Sequence, residues 1–279
     1  DIANSQNLRV EMLLSSEIKH LDDIAKIVTL LSIPTFLVLH FGIVAPYGKH
    51  SNSSSSAASR SFGPLINAKL AWIILESPNL FWVVWSFLHR DDDMFGVVNA
   101  SLLSMFTLHY INRSILYPLR MSSSSRPVPL AIAVSGFSYC AVNGYLQGQT
   151  LCRGIAYPDD YLHSPRFVVG ATLFLVGFAI NLHSDKILRR LCDQRRRDKM
   201  SDYSIPKGGI FEYVSCANYA GEILEWLAYS VACKNFAAVS FLSFTLSNLI
   251  PRALCHHKWY SQKFEDYPKR RKAVIPFLL

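Results

Sequence analysis

Five groups of polar residues interrupt the apolar stretches of this chain at helical spacing, where positions three and four apart share a face. Glu76 stands alone in AWIILESP. Burial disfavours a carboxylate anion. The neutral acid could therefore donate a hydrogen bond to a carbonyl, or Glu76 could be the structural partner of an arginine from another span. Tyr110, Arg113 and Tyr117 share one face of LHYINRSILY. Two phenols and a guanidinium suit a carbonyl at one end and a phosphate at the other. The alternative is an interfacial aromatic belt with a snorkelling arginine. His109, beside them, reads as a packing residue.

Asn181, Asp185 and Arg189 recur every four residues in NLHSDKILR. An amide and a carboxylate there could read an adenine or a ribose, or they mark an amphipathic helix exit. Asn218, Glu222 and Glu225 form a stripe in ANYAGEILEW. Two carboxylates and an amide among apolar residues are expensive, so they pair with cations of other spans or face a ligand. Arg252, His256 and Tyr260 are spaced by four in RALCHHKWY. Arginine suits a phosphate, and tyrosine a phosphate or a ring edge. The competing reading is a basic helix lying on anionic lipid. The runs Arg195–Arg197 and Lys269–Lys272 read as solvated positive loops.

Other chemistries lack their residues. No G-x-G-x-x-G, Walker A or G-x-S-x-G pattern occurs. His256 and His257 are the only adjacent histidines, so no metal site is expected. The six cysteines form no C-x-x-C pair and read as small apolar fillers.

The elements that position these groups are expected to be membrane helices. Hydrophobic residues make up 51% of the 279, and charged residues only 17%, against about a quarter in a soluble domain. A membrane helix needs about 20 mostly apolar residues. The candidates are Ile27–Val44, Leu70–Leu88, Phe95–Tyr117, Val128–Cys152, Phe167–Leu182, Tyr213–Cys233 and Asn235–Cys255. The expectation is an all-α, seven-span membrane protein, with an N-terminal segment over 1–26 and one domain over 27–279. Of the 28 Lys and Arg, 20 fall in one alternating set of loops and 7 in the other. The positive-inside rule then puts the N-terminus in the lumen and the C-terminus in the cytoplasm. This sidedness also accounts for the net charge of +8, so no nucleic-acid partner is needed. Ser51–Ser61 reads as a flexible cytoplasmic loop, and the acceptor pattern at Asn52 is expected to stay unmodified. The chain starts at Asp1 rather than Met, which points to N-terminal processing or truncation.

From about Val44 onward the chain resembles the steroid 5α-reductase family. The matching stretches are APYGKH, AWIILESP, LHYINR, NGYLQG, NLHSD, YSIPKGGIFEYVS, ANYAGEILEW, CHHKWY and FEDYPKRRKAVIPFLL. The resemblance implies seven membrane helices and an NADPH-dependent reductase of the endoplasmic reticulum. Such an enzyme reduces the carbon 4–5 double bond of 3-oxo-Δ4 steroids. The resemblance maps the substrate-carbonyl pair to Glu76 and Tyr110. It maps the cofactor residues to Arg113, Tyr117, Arg126, Asn181, Asp185, Tyr203, Asn218, Arg252, His256 and Tyr260. Glu222 falls at a further polar position, for cofactor or helix pairing. Leu75, Cys192, Ser204, Cys216 and Cys255 depart from the family pattern, and they bear on cofactor affinity more than on reaction type. The Ser-rich loop and ILESP are similar to plant members, which act in brassinosteroid synthesis.

The implied partners are a lipophilic steroid entering from the bilayer and membrane lipids. The sequence leaves the oligomeric state open, and a monomer suffices. The alternatives are a polyprenol or enoyl-CoA reductase of the same fold, an isoprenylcysteine-type methyltransferase, and a non-enzymatic lipid-binding scaffold.

Overall fold

The computed structural model describes residues 2–41, 62–122, 125–198 and 203–279, with side chains from Glu17 onward in the first helix. Asn52 and the Ser-rich stretch lie outside the described residues. Seven long helices fall where the apolar runs do. They are α1 (Ile2–Phe41), α2 (Ala68–Leu88), α3 (Val97–Ile111), α4 (Leu130–Gln149), α5 (Pro165–Arg197), α6 (Ala217–Cys233) and α7 (Phe236–Lys263). Four of them contain stretches long and apolar enough to cross a membrane: Glu17–Phe41, Ala68–Leu88, Pro165–Arg197 and Phe236–Lys263. The chain is a multi-pass membrane protein, with many large apolar side chains on its outside, such as Phe41, Phe81 and Leu88.

Local chemistry sets the helix ends. The Asn67 side chain accepts from Lys69 N and Leu70 N at the start of α2, satisfying amides that lack an intrahelical partner. Ser164 caps α5 just before Pro165, and Asn235 caps α7. Between α6 and α7, Lys234 takes a left-handed conformation (φ 51°), which makes the connection tight. α3 does not end at Ile111. It passes through a π-helical turn, Asn112–Leu116, into a last α-helical turn, Tyr117–Arg120. Such π-turns are frequent at functional sites.

Three boundaries differ from expectation. α1 runs from Ile2 to Phe41, so the helix begins well before Ile27, the expected start of the first span. α5 continues to Arg197 rather than ending near Leu182, which keeps Asp185 and Arg189 on one rod with Asn181. α6 begins at Ala217, because Gly209–Glu212 forms a separate 3-10 turn.

α5 packs on α6, α2 on α4, and α1 on α7. Small residues allow the first two contacts, as in membrane bundles generally. A Cβ on Gly177 of α5 would lie 2.6 Å from the backbone N of Glu225, so only glycine fits. A Cβ on Gly144 of α4 would lie 2.8 Å from Asn79 Cα. The core joins Phe106, Tyr110, Phe174, Trp226, Tyr229 and Phe241. A two-residue pairing of β1 (Leu65–Ile66) with β2 (Val128–Pro129) ties the starts of α2 and α4.

Candidate active site

Glu76 of α2 and Tyr110 of α3 are both buried and are electrostatic neighbours. Glu76 is 9% exposed, and its Oε2 accepts from the Cys140 thiol of α4 at 3.7 Å. The Tyr110 ring is held by Phe106, Trp226 and Phe241, with centroids 4.6, 6.0 and 6.3 Å away. The ionisable neighbours of Glu76 include Arg113, Glu222 and His109. Leu75 points elsewhere, against Gly136 of α4, so its departure from the family pattern lies off the Glu76 face.

The π-turn places the Arg113 guanidinium over Trp72 at 4.7 Å and over Tyr117 at 4.8 Å. Its Nη1 donates to Asp185 Oδ2 at 3.4 Å. The Asn181 Nδ2 donates to Asn218 O at 3.0 Å and to Glu222 Oε2 at 3.5 Å. Seven expected residues (Glu76, Tyr110, Arg113, Tyr117, Asn181, Asp185 and Glu222) and the Asn218 backbone thus converge from α2, α3, α5 and α6. Two atoms of this group, Arg113 Nε and Asn181 Oδ1, are buried with no hydrogen-bond partner.

The remaining expected residues lie on α7, in the segment before α6 and, for Arg126, just before β2. Arg126 and Arg195 lie over the Tyr203 ring at 5.5 and 4.6 Å, and Tyr203 meets Trp259 edge to face. His256 Nε2 lies 3.5 Å from Tyr219 OH, and Arg252 is one turn before it on α7. Tyr260 stacks on Tyr267 at 5.5 Å.

Three features escape a reading of the sequence. His109, expected to be a packing residue, bonds Glu225 across the bundle: Nδ1 to Oε1 is 2.7 Å, with both side chains buried. Asn143 and Gln147 of NGYLQG form an amide ladder. Asn143 donates to Asn79 Oδ1, and Gln147 donates to Asn143 Oδ1 and to Ala237 O. Their spacing of four within an uncharged run was the available signal. Arg271 corrects the expectation of a solvated Lys269–Lys272 run. It is 3% exposed, donates to Pro206 O at 2.8 Å and pairs with Glu212 at 3.5 Å. It thereby clamps the segment that carries Tyr203. Tyr267 stands beside Arg271, and burial pushes its phenol up from the ordinary value, so it hydrogen-bonds Ser215 in neutral form.

Comparison with known proteins now decides the class. A family model described as 3-oxo-5-alpha-steroid 4-dehydrogenase matches residues 126–279. The rat (Rattus norvegicus) 3-oxo-5-alpha-steroid 4-dehydrogenase 1 is 40% identical over 236 residues, 84% of this chain and 86% of that protein. The chain belongs to the 3-oxo-5-alpha-steroid 4-dehydrogenase family. Steroid 5-alpha-reductase DET2 of Arabidopsis thaliana is also 40% identical, over 255 residues, 88% of this chain and 91% of that protein. The Bos taurus 3-oxo-5-alpha-steroid 4-dehydrogenase 1 is 38% identical over 262 residues, 93% of this chain and 97% of that protein. Identity therefore does not separate plant from mammalian members. Membership does favour a dehydrogenase-class enzyme over the methyltransferase and scaffold readings.

Proposed function

We propose that this enzyme reduces the carbon 4–5 double bond of 3-oxo-Δ4 steroids with NADPH. The observation that carries this reading is the buried pair of Glu76 and Tyr110 with Arg113 behind it. Two O–H donors there can meet one carbonyl oxygen, and aromatic side chains can wall an apolar substrate. The neutral Glu76 carboxyl and the Tyr110 phenol donate to the oxygen at carbon 3. As the double bond is reduced, negative charge gathers on that oxygen, and each preset donor supplies roughly 3 kcal/mol of transition-state stabilisation. The proton reaches carbon 4 from water or from the Tyr110 phenol.

The residues fit a nicotinamide nucleotide. Arg113 Nε and Asn181 Oδ1 are an unspent buried donor and acceptor. Arg113, Arg126 and Arg252 suit phosphates, while Tyr117, Tyr203 and Tyr260 offer ring faces. Asn181, Asp185, Asn218, Glu222 and His256 supply hydrogen-bonding groups for amide and ribose. When bound, NADPH supplies the hydride that adds to carbon 5.

The seven helices are read as seven spans over one domain, 27–279, with a luminal N-terminus and a cytoplasmic C-terminus in the endoplasmic reticulum. The 20-to-7 sidedness of Lys and Arg supports this orientation. A steroid then enters sideways from the bilayer, and a single chain suffices. The equal likeness to DET2 and to the animal enzymes keeps campestane-type enones of brassinosteroid synthesis among the substrates. The test is NADPH consumption by membranes containing the protein, with a panel of 3-oxo-Δ4 steroids. Consumption with formation of the 5α product is expected. Consumption only with polyprenols or enoyl-CoA thioesters overturns the reading.

A further inference from the structure

At the end of the bundle opposite Arg113 and Asp185, α1, α2 and α4 enclose a cavity of about 270 Å³. Its walls are aromatic and its rim is charged. Trp82 and Tyr145 meet edge to face, with centroids 5.0 Å apart and planes at 72°, so they form two walls near a right angle. Trp85 adds a third, and its ring stacks on His89 at 4.1 Å. Glu17 and Arg153 line the same cavity and pair at 3.3 Å, with side chains 54% and 39% exposed. So exposed a pair contributes little to stability. It does hold one negative and one positive group ready beside three aromatic rings.

We propose that this cavity binds the phosphocholine headgroup of a membrane phospholipid. Aromatic faces attract a quaternary ammonium within about 6 Å of the ring centroid through the ring quadrupole. Glu17 adds a carboxylate for the same cation, and Arg153 presents a guanidinium fork to the phosphate. A zwitterion leaves the Glu17–Arg153 site neutral, whereas an anionic headgroup sets extra negative charge beside Glu17. At about 270 Å³ the cavity is at the small end of ligand pockets, which run from about 300 to 1,000 Å³, and so suits a headgroup. The acyl chains have a surface to follow, because Phe81, whose ring lies 6.2 Å from that of Trp85, is 57% exposed. Tryptophan and tyrosine are the residues that membrane proteins concentrate at headgroup depth. The proposal uses no residue of the reductase site and does not rest on that reading.

The experiment is native mass spectrometry of the protein in maltoside detergent, titrated with dioleoyl-phosphatidylcholine, dioleoyl-phosphatidylglycerol or free phosphocholine. One phosphatidylcholine is expected to be retained per chain, at a concentration at least tenfold below that needed for phosphatidylglycerol. The double variant Glu17→Gln, Arg153→Gln is expected to lose that preference, with melting temperature and steroid turnover unchanged. Trp85→Leu is expected to lower phosphatidylcholine retention in parallel. Equal retention of the two lipids overturns the proposal, as does an undiminished preference in the double variant. Free phosphocholine bound as tightly as the lipid overturns the lipid source. Displacement of phosphatidylcholine by a 3-oxo-Δ4 steroid assigns the cavity to the sterol and overturns it as well.

Discussion

The α2–α4 contact and the α5–α6 contact use the same backbone device and spend it differently. In each, glycines bring two helices together closely enough that a Cβ would strike the partner's backbone. Between α2 and α4 the polar groups are neutral amides that answer one another. Asn143 donates to Asn79, Gln147 to Asn143 and to Ala237 O, and Tyr229 OH to Gln147. Beside the α5–α6 contact the groups are ionisable, and they reach out to α3 and its π-turn: Asp185 to Arg113, Glu225 to His109. That side also holds the unanswered Arg113 Nε and Asn181 Oδ1. An amide ladder, here with one unanswered atom at Asn79 Nδ2, locks helices, whereas buried ionisable groups with unspent hydrogen-bonding atoms are what a ligand site needs. Glu76 sits where the two regimes meet, bonded to Cys140 on the amide side and neighboured by Arg113 on the charged side.

The comparison breaks most visibly at His109. His109→Leu strands the Glu225 carboxyl at 0% exposure without its partner, and leaving a buried hydrogen-bonding group unsatisfied costs about 1–3 kcal/mol. A large fall in melting temperature of the detergent-purified protein is expected, and Glu225→Gln in the same background should recover part of it. An unchanged melting temperature would show that the pair does not hold α3 to α6. Glu76→Gln tests the boundary between the regimes. Turnover is expected to drop roughly 100- to 1,000-fold, with an unchanged melting temperature and retained NADPH binding. Wild-type turnover in this variant removes Glu76 from the carbonyl.

How far such distinctions can be read from sequence depends on the range over which the cause acts. Apolar run length located all seven helices, and α2 ends at Leu88, where its run ends. Local signals fail where apolarity stops but the helix does not. α5 continues for 15 residues past Leu182 because charged residues on an exposed rod remain good helix formers. Faces were legible within one helix, so Asn181 with Asp185 and Asn218 with Glu222 stood out by spacing. Partners across helices were not, since His109 and Glu225 are 116 residues apart. Nor can composition say which arginine of PKRRK is buried. Arg271 goes inside because Pro206 O and Glu212 are there to receive it.

Gly177→Ala sharpens the comparison from the packing side. Its Cβ meets backbone atoms, which cannot rotate away, so α5 and α6 must separate. Overpacking of this kind costs about 1–3 kcal/mol. Separating the helices also displaces Asn181 and Asp185 relative to Glu222, so the apparent Michaelis constant for NADPH should rise along with the loss of stability. Gly144→Ala should lower stability alone, because the atoms it meets belong to the amide ladder. Equal effects of the two variants on the Michaelis constant would erase the functional difference between the contacts.

The smallest effect comes from Arg252. Arg252→Ala removes one phosphate-directed cation from a half-buried position on α7, and a tenfold weakening, about 1.4 kcal/mol, is expected in the apparent Michaelis constant for NADPH. Turnover at saturating NADPH should hold, because Arg252 lies on α7, whereas Glu76 and Tyr110 lie on α2 and α3. Gln147→Leu is the matched control in the other regime. It takes the Gln147 donor from Asn143 Oδ1 and the Gln147 acceptor from the Tyr229 hydroxyl, so it should lower the melting temperature and leave that constant alone. If Arg252→Ala leaves the constant unchanged, Arg252 does not hold the nucleotide. If Gln147→Leu raises it, the amide ladder is part of the cofactor site, and the division between a locking half and a binding half is wrong.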